Sequence, residues 1–351
     1  MAEKYLTYNP SETIDEVIKQ LAPDVVLIVT DSNVDKAVLP KLADSSVIKK
    51  CNKYVFAPGE ENKNLETVTK VWQSLEKAGA TRRSVILNIG GGVVTDLGGF
   101  AAATFKRGIR TVNFPTTLLG AVDAATGGKT GIDFNGLKNE IGAFHLPSKV
   151  IVSPIPFTTL PYEEIISGYA EMIKTALISD RQFYISLLDM DRITENNENL
   201  GMSVEKCVLI KENVVAQDPT EKGLRKILNF GHTAGHALES LRIENGNPVT
   251  HGKAVAHGIL VALILSHMKL GFESMEVNYY KNFLKKYYGS SLMRCQEMDR
   301  VLEIMASDKK NQTFGEPLFT LLRTPGTPEI DCKPTPDEIK EALELYIDMT
   351  S

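Results

Sequence analysis

The chain has 351 residues, of which 43% are hydrophobic and 24% charged, and its formal net charge is -5. This is the composition of an ordinary globular protein of about two domains, and the acidic balance argues against a nucleic-acid partner. The four cysteines lie far apart without a C-x-x-C pair, which argues against a thiolate zinc knuckle and a disulfide framework and favours a reduced, cytoplasmic protein.

No export or membrane segment is expected. The first residues, from Met1 to Tyr5, contain no apolar stretch. The longest apolar run, from about 254 to 268, is interrupted by His257 and His267 and is too short to span a bilayer. We therefore predict no membrane partner.

The N-terminal half alternates the patterns of strands and helices. An apolar run from Asp24 to Thr30 is typical of a buried parallel strand, and Ser32 or Asn33 stands where a cap of the following helix is expected. Further strands are predicted at 53–57, 84–89 and 111–114, and helices at about 65–78 and 93–104. The alternation predicts an α/β, Rossmann-like domain with a parallel sheet over residues 1–155.

A first glycine-rich turn follows the predicted strand at 84–89. Gly90, Gly91 and Gly92 at a strand-to-helix turn allow backbone N–H groups to approach a pyrophosphate. The G-x-G-x-x-G fingerprint is not met, because Thr95 replaces its third glycine, so a tight turn without a ligand is the alternative. Asp96 lies one turn into the helix, where it suits a ribose hydroxyl or a carboxamide.

A second glycine-rich stretch presents cations. A Gly-Lys-Thr sequence surrounds Lys129, but Asp123 stands where a P-loop requires its first glycine, which argues against a P-loop enzyme. Together with Arg107, Lys138 and Asn139, Lys129 suits an anionic small molecule. The alternative is that Arg107 and Lys138 are solvated surface charges.

The C-terminal half changes to a helical pattern. Four prolines between 146 and 162 mark a boundary, and residues 156–351 form the second predicted domain. Thr335, Pro336 and Glu338 predict a capping box before a last helix at 339–349. The second domain is therefore predicted to be mainly α-helical, with its other helices at 162–178, 183–189, 200–217, 232–241, 252–270 and 277–288.

Three of the six histidines lie close together in this half. His232 and His236 are spaced i, i+4, so they share one helix face, and His251 follows fifteen residues later. Such a pair either holds an ion or is a satisfied, half-buried pair. Glu171 would complete a catalytic type of zinc site, although Glu171 and Lys174 at i, i+3 also suit a simple salt bridge.

Seven short motifs, which contain most of the residues singled out above, occur in order along the chain. The chain resembles the 3-dehydroquinate synthase family, of the sugar-phosphate cyclase group, over nearly its full length. The motifs lie, in order, at 90–96, 115–119, 123–131, 138–144, 170–174, 229–236 and 251–255.

The resemblance implies an NAD-dependent, zinc- or cobalt-dependent lyase of the shikimate pathway. Its sugar-phosphate substrate is 3-deoxy-D-arabino-heptulosonate 7-phosphate, and its products are 3-dehydroquinate and phosphate. The family oxidises one carbinol, eliminates phosphate, reduces the ketone again, opens the ring and closes it by an intramolecular aldol step. An active site in the cleft between the two domains is implied, as is a homodimer in which Arg107 reaches the neighbouring site.

The same resemblance implies roles for individual residues. The implied metal ligands are Glu171, His232 and His251, and His236 and Asp123 are implied to be catalytic groups. The substrate phosphate is implied to be bound by Lys129, Asn139, Asn229 and Arg107, with Lys309 or Lys310. The other substrate oxygens are implied to be bound by Lys174, Lys211 and Arg225. The cofactor-binding residues are Asp31, Asn33, Glu60, Lys63, Gly91, Gly92, Val93, Asp96, Thr116, Thr117, Leu119, Asp123, Lys138, Thr159 and Leu160.

Some positions depart from the family pattern, and other functions stay open. Ala124 and Ala125 replace usual serines, Lys253 replaces a glutamate, and His257 replaces an apolar residue and is interpreted as structural. One alternative is another cyclase of the group. A second is a metal-dependent polyol or glycerol-phosphate dehydrogenase, which would accumulate NADH. A third is a nucleotide-binding protein without enzymatic activity.

Overall fold

The computed structural model describes residues 3–135, 137–306 and 316–351. Within them the strands are β1 (Glu3–Leu6), β2 (Val26–Asp31), β3 (Asn52–Phe56), β4 (Val85–Gly90), β5 (Arg110–Pro115), β6 (Lys129–Phe134), β7 (Leu137–Phe144), β8 (Lys149–Val152), β9 (Phe319–Leu322) and β10 (Pro328–Cys332). The helices are α1 (Pro10–Leu21), α2 (Ser32–Ala37), α3 (Ser46–Lys50), α4 (Leu65–Lys77), α5 (Gly92–Thr104), α6 (Tyr162–Leu177), α7 (Arg181–Leu187), α8 (Met190–Thr194), α9 (Asn197–Gln217), α10 (His232–Glu244), α11 (His251–Leu270), α12 (Ser274–Tyr287), α13 (Met298–Ala306) and α14 (Pro336–Thr350).

The described chain forms two compact units. Unit 1 consists of Met1–Pro161 with Thr194–Glu212, and unit 2 consists of Tyr162–Ile193 with Asn213–Ser351. An α/β unit with a parallel sheet and a mainly helical second unit confirm the predicted fold class. The predicted domain division at residues 155 and 156 stays a prediction.

Unit 1 is built on a six-stranded parallel sheet in the order β1-β8-β5-β4-β2-β3. Successive residues of β2 alternate between its faces, because Ile28 packs into one hydrophobic cluster while Leu27 and Val29 pack into the other. Helices therefore cover both faces, and the inner strand β2 contains a continuous apolar run at 26–29, as is typical of buried parallel strands.

The predicted cap of α2 was wrong by one residue. The side chain of Asp31, not Ser32 or Asn33, accepts hydrogen bonds from the backbone N–H groups of Asn33 (2.8 Å) and Val34 (3.0 Å). The strand continues to Asp31, so the helix starts at once and its capping position falls on the last strand residue. At the other end of the chain the predicted capping box is confirmed, with Thr335 bonded to the N–H of Glu338.

Strands β6 and β7 form an antiparallel hairpin, a two-stranded sheet of its own that does not pair with the main sheet. This hairpin was not predicted. Its register is irregular: Ile132 pairs with Ile141, and Phe134 pairs with Leu137. One residue of β6, Asp133, thus lies opposite three residues of β7, which is a β-bulge. The hairpin also exposes large apolar side chains, such as Phe144, which is 62% exposed.

Unit 2 is held together by helices that cross very closely. A Cβ atom on Gly258 of α11 would overlap the backbone of Gly231 and Gly235, so α10 and α11 touch at this point. A Cβ atom on Gly252 of α11 would overlap the carbonyl oxygen of Ser167 on α6. These two contacts fix how α6, α10 and α11 pack where they carry the candidate site.

Helix α11 agrees with the predicted helix at 252–270 and extends beyond the apolar run at both ends. With 20 residues, it is long and apolar enough to cross a bilayer by length and composition, contrary to the prediction from the run alone. However, 72% of its most apolar stretch is buried inside the protein, which is typical of a core helix. His257 lies in this stretch, fully buried, with its Nδ1 2.9 Å from the hydroxyl oxygen of Tyr346.

Candidate active site

Three side chains from three helices converge in unit 2. The Oε1 atom of Glu171 on α6 lies 3.5 Å from Nε2 of His232, at the start of α10. The same oxygen lies 3.7 Å from Nε2 of His251, at the start of α11. The structure therefore brings together the three residues predicted as metal ligands, although nothing in their sequence spacing required it.

The other ring nitrogen of each histidine faces an acceptor. Nδ1 of His232 lies 3.1 Å from the carbonyl oxygen of Phe230, and Nδ1 of His251 lies 3.0 Å from Oε2 of Glu239. Because an oxygen acceptor requires a proton on Nδ1, these contacts leave the Nε2 lone pairs directed at Glu171. This tautomer is the one that binds a metal through Nε2.

The spacing of the donors fits a divalent ion. Bonds of about 2.1 Å in a four-coordinate site place ligand atoms about 3.4 Å apart, close to the two distances from Glu171. His236 joins the group, since ligand atoms of all three histidines lie within 4.8 Å of one another. The geometry alone is therefore compatible with His236 either as a further metal ligand or as a neighbour of the ion that does not bind it.

A cation already accompanies the carboxylate. Glu171 and Lys174 form an ion pair on α6, and both side chains are 1% exposed. Burying two charges is costly unless each is compensated, so this pair is unlike the solvated salt bridge that the i, i+3 spacing suggested. It places an ammonium group beside the convergent histidines.

A short loop before α10 carries the remaining candidates of unit 2. Asp218 accepts hydrogen bonds from three backbone N–H groups, including that of Arg225, and these outweigh its burial and lower its pKa. Arg225 is buried and donates to the carbonyl of Pro219. The amide of Asn229 donates to Glu221 at 2.7 Å. Lys309 and Lys310 lie outside the described residues.

The candidate cofactor residues of unit 1 lie mainly along one edge of the sheet. The chain runs from β2 to β3 on one side and returns to β4 on the other, so the strand order reverses between β2 and β4. Open α/β sheets bind ligands at the carboxyl ends of strands beside such a reversal. The last residue of β2 and the segments that follow β2, β3, β4, β5 and β8 contain the candidates Asp31, Asn33, Glu60, Lys63, Gly91, Gly92, Val93, Asp96, Thr116, Thr117, Leu119, Asp123, Thr159 and Leu160.

At the start of α5, glycine brings the backbone into close contact with a neighbouring side chain. A Cβ atom on Gly91 would lie 2.9 Å from Cγ2 of Thr117, so only glycine fits without a shift. One turn into the helix, burial raises the pKa of Asp96, and Lys63, 2.7 Å away, opposes that rise. Burial alone would lower the pKa of Lys63, but Asp96 and Glu60 outweigh it and the pKa is raised.

Asp123 and Lys211 form a second ion pair in unit 1, in which Lys211 is buried and Asp123 is partly exposed. Asp123 lies in a single π-helical turn at 120–124, a form often found at functional sites. Lys211 on α9 pairs with its carboxylate and donates to its backbone carbonyl at 2.6 Å. Lys211, which was predicted to bind the substrate, therefore contacts Asp123, which was predicted to bind the cofactor.

The residues of unit 1 that are predicted to bind an anion are not all neighbours. Lys129 begins β6, whereas Asn139 bonds to Asp133, four residues further along β6, which separates their backbones by about 13 Å. Lys138 is next to Asn139 on β7. Arg107 follows the carboxyl end of α5, and because α5 leaves the cofactor edge at Gly92, Arg107 lies at the opposite edge of the sheet.

Comparison with known proteins identifies the family. The family model for the N-terminal part of 3-dehydroquinate synthase matches residues 53–167, and that for the C-terminal part matches residues 168–311. A 3-dehydroquinate synthase of Parabacteroides distasonis is 43% identical over 333 residues, which cover 95% of this chain and 94% of the relative. The chain belongs to the 3-dehydroquinate synthase family. Members of this family are carbon–oxygen lyases, and a further relative, from Thermococcus kodakarensis, is 39% identical over 87% of this chain and 84% of its own.

Solved structures share the fold. A 2-deoxy-scyllo-inosose synthase, solved with carbaglucose-6-phosphate, NAD+ and Co2+, has a TM-score of 0.85 at 24% identity over 97% of this chain and 95% of its own. A 2-epi-5-epi-valiolone synthase of Streptomyces hygroscopicus, with NAD+ and Zn2+ bound, has a TM-score of 0.86 at 23% identity, covering 99% and 97%. At these identities the likeness concerns the fold.

Three acidic residues that contact the candidate site residues were not predicted from the sequence. Glu239 follows His232 and His236 at i+7 and i+3 on α10, a spacing that indicates a shared face and could have revealed it. No sequence spacing pointed to Glu221 or Asp133. Glu221 accepts a hydrogen bond from Asn229 within a loop, and Asp133 accepts one from Asn139 within the β-bulge.

Proposed function

We propose that the chain converts 3-deoxy-D-arabino-heptulosonate 7-phosphate into 3-dehydroquinate and phosphate, with NAD and a divalent zinc or cobalt ion. The observation that carries the proposal is the convergence of Glu171, His232 and His251 in a chain of this family. Support for NAD comes from the glycine-lined start of α5 at the reversal of the sheet order. Two structural relatives were solved with NAD+ and Co2+ or Zn2+.

When bound, NAD would accept and return hydride and the ion would polarise substrate hydroxyls, which is chemistry that side chains lack. Glu171, His232 and His251 would hold the ion, and Glu239 and the carbonyl of Phe230 keep the imidazoles oriented. Lys174 sits beside Glu171, where its ammonium group can bond a substrate hydroxyl.

The remaining residues bind and orient an anionic substrate. The guanidinium group of Arg225 and the ammonium group of Lys211 suit the substrate carboxylate. The phosphate is bound by Lys129, Asn139 and Asn229, and Lys309 or Lys310 and Arg107 contribute further charge. His236 hydrogen-bonds to substrate oxygens. Because the substrate phosphate can itself accept the acidified proton, the chain has to hold that phosphate in place and need not supply a strong base.

The test is an incubation of the purified protein with the heptulosonate phosphate, zinc and a trace of NAD. Phosphate release and NADH absorbance are followed together. We expect phosphate far in excess of the NAD supplied, without steady accumulation of NADH. NADH that rises in step with product would favour a polyol dehydrogenase instead. Turnover of another sugar phosphate in place of the heptulosonate phosphate would favour a different cyclase.

We further propose that the protein forms a homodimer and acts in the cytoplasm. The position of Arg107, at the edge of the sheet away from the candidate cofactor residues of its own chain, supports a role in a partner's site. None of the four cysteines, all of which lie within the described residues, forms a disulfide, which suits a reducing compartment. Light scattering of the purified protein at micromolar concentration tests the dimer, and a monomeric mass would refute it.

A further inference from the structure

The bulge in the β6–β7 hairpin displays two candidate site residues. Asp133 on β6 lies opposite Lys138, Asn139 and Glu140 on β7, so β7 carries two extra residues at this point. Bulges re-aim side chains and recur beside active sites. Asn139 adopts a left-handed backbone conformation with φ 53°, which asparagine tolerates better than most residues but which still has to be stabilised.

A ring of three hydrogen bonds closes the bulge. The backbone N–H of Asn139 donates to Oδ1 of Asp133 at 2.8 Å. The backbone N–H of Asp133 donates to the carbonyl oxygen of Lys63 at 2.8 Å. The ammonium group of Lys63 donates to Oδ1 of Asn139 at 2.5 Å. The ring therefore joins the hairpin to the segment between β3 and α4.

Lys63 also decides which way the amide of Asn139 points. An ammonium group only donates, so the atom that faces it must be the amide oxygen. The NH2 group of Asn139 is then directed away from Lys63. An anion needs a donor, and in this orientation the NH2 group is the part of the amide that can bind a phosphate oxygen.

We infer that Asp133 is a positioning residue for the phosphate subsite, which closes the bulge and holds Asn139 so that its amide donor is presented to the substrate phosphate. The inference rests on the proposed role of Asn139. Asp133 itself needs no contact with substrate. Its carboxylate acts on the backbone N–H of Asn139, an interaction that an asparagine oxygen can also provide.

The test uses Asp133→Ala, Asp133→Asn, Asn139→Ala and the double variant Asp133→Ala with Asn139→Ala. Inorganic phosphate serves as a competitive inhibitor whose Ki reports the subsite, and the Kd of NAD and the melting temperature are measured separately. Glu140→Ala, which removes another carboxylate of the same hairpin, is the matched control. The background of Asn139→Ala shows whether Asp133 acts through Asn139.

We expect Asp133→Ala to raise the Ki for phosphate by about tenfold, with the Kd of NAD within about twofold. Asp133→Asn and Glu140→Ala should remain near the wild type. In the Asn139→Ala background, Asp133→Ala should add no further loss. An equal loss in both backgrounds, or an unchanged Ki in Asp133→Ala, overturns the inference. A normal Ki in Asn139→Ala overturns the proposed role of Asn139 and, with it, this inference.

Discussion

Oε2 of Glu239 lies 3.0 Å from Nδ1 of His251, and this contact orients the imidazole that faces Glu171. We expect Glu239→Ala to weaken the binding of Zn2+ or Co2+ by about tenfold to a hundredfold, and Glu239→Gln by less, because glutamine keeps an acceptor but loses the charge. Competition with a chromophoric chelator gives the Kd. Glu244→Gln changes an exposed carboxylate on the same helix and should bind normally. Equal affinity in all variants would disprove the role of Glu239.

The division of labour between His251 and His236 is a second prediction. His251→Ala should lose bound metal, whereas His236→Ala should keep it and turn over about a hundredfold more slowly, because a polar group at the reacting atoms is missing. Metal content after gel filtration and steady-state rates are the measurements. The three imidazoles lie close enough to share one ion, so equal metal loss in both variants would make His236 a ligand.

The contact between Gly252 and Ser167 makes a third prediction. Gly252→Ala inserts a methyl group against a backbone carbonyl, so α6 has to move relative to α11 and Glu171 moves with it. We expect more than about tenfold weaker metal binding and a destabilisation of about 1–3 kcal/mol. Lys253→Ala, at the next residue, is the control. A variant with normal metal occupancy and an unchanged melting temperature would contradict this account.

Arg107 allows a complementation experiment. Arg107→Ala and His251→Ala are each expected to be nearly inactive. If Arg107 serves the partner's site, a mixed dimer of the two variants contains one intact site and shows about half of the wild-type activity. The mixed dimer is isolated through two different affinity tags. A mixed dimer of His251→Ala and Lys174→Ala should stay inactive. Inactivity of the first mixed dimer would place Arg107 in its own chain's site.

Buried His257 predicts acid sensitivity of the fold. Burial, assisted by the charge of Lys253, lowers the pKa of His257 from 6.5 to about 3. The folded state therefore excludes a proton that the unfolded chain binds, and stability falls as pH drops below 6.5. Between pH 6.5 and 5 the loss amounts to about 2 kcal/mol. In His257→Asn this share of the loss should vanish, as measured by urea unfolding of the metal-free protein. Parallel curves for both proteins would refute the prediction.

The sequence predicted the elements whose patterns are local and failed where pairing is distant. The strand at β4 is an apolar run interrupted only by Asn88, and α14 carries its own capping box, so both were predicted. The β6–β7 hairpin was missed, because Gly131 and Gly142 face each other in it and most of β7 is exposed, which hides the alternation of a strand. The stretch was instead interpreted as a glycine-rich loop.

The candidate site shows the same limit. The i, i+4 spacing of His232 and His236 correctly indicated a shared helix face. That Glu171 meets His251 depends on the close crossing of α6 and α11 at Gly252, which no sequence period encodes. The residues that join Asn139 and Asn229 to their surroundings lie in a bulge and a loop, where backbone conformations are set by tertiary contacts.

The crossing of α10 and α11 also limits how this site can be redesigned. Gly235 and Gly258 leave no space between the two backbones, so neither helix can slide or rotate to suit an ion of another size. Transplanting the centre into another scaffold would require both helices as one rigid part. Selectivity for a different metal would have to come from exchanging the ligating side chains themselves.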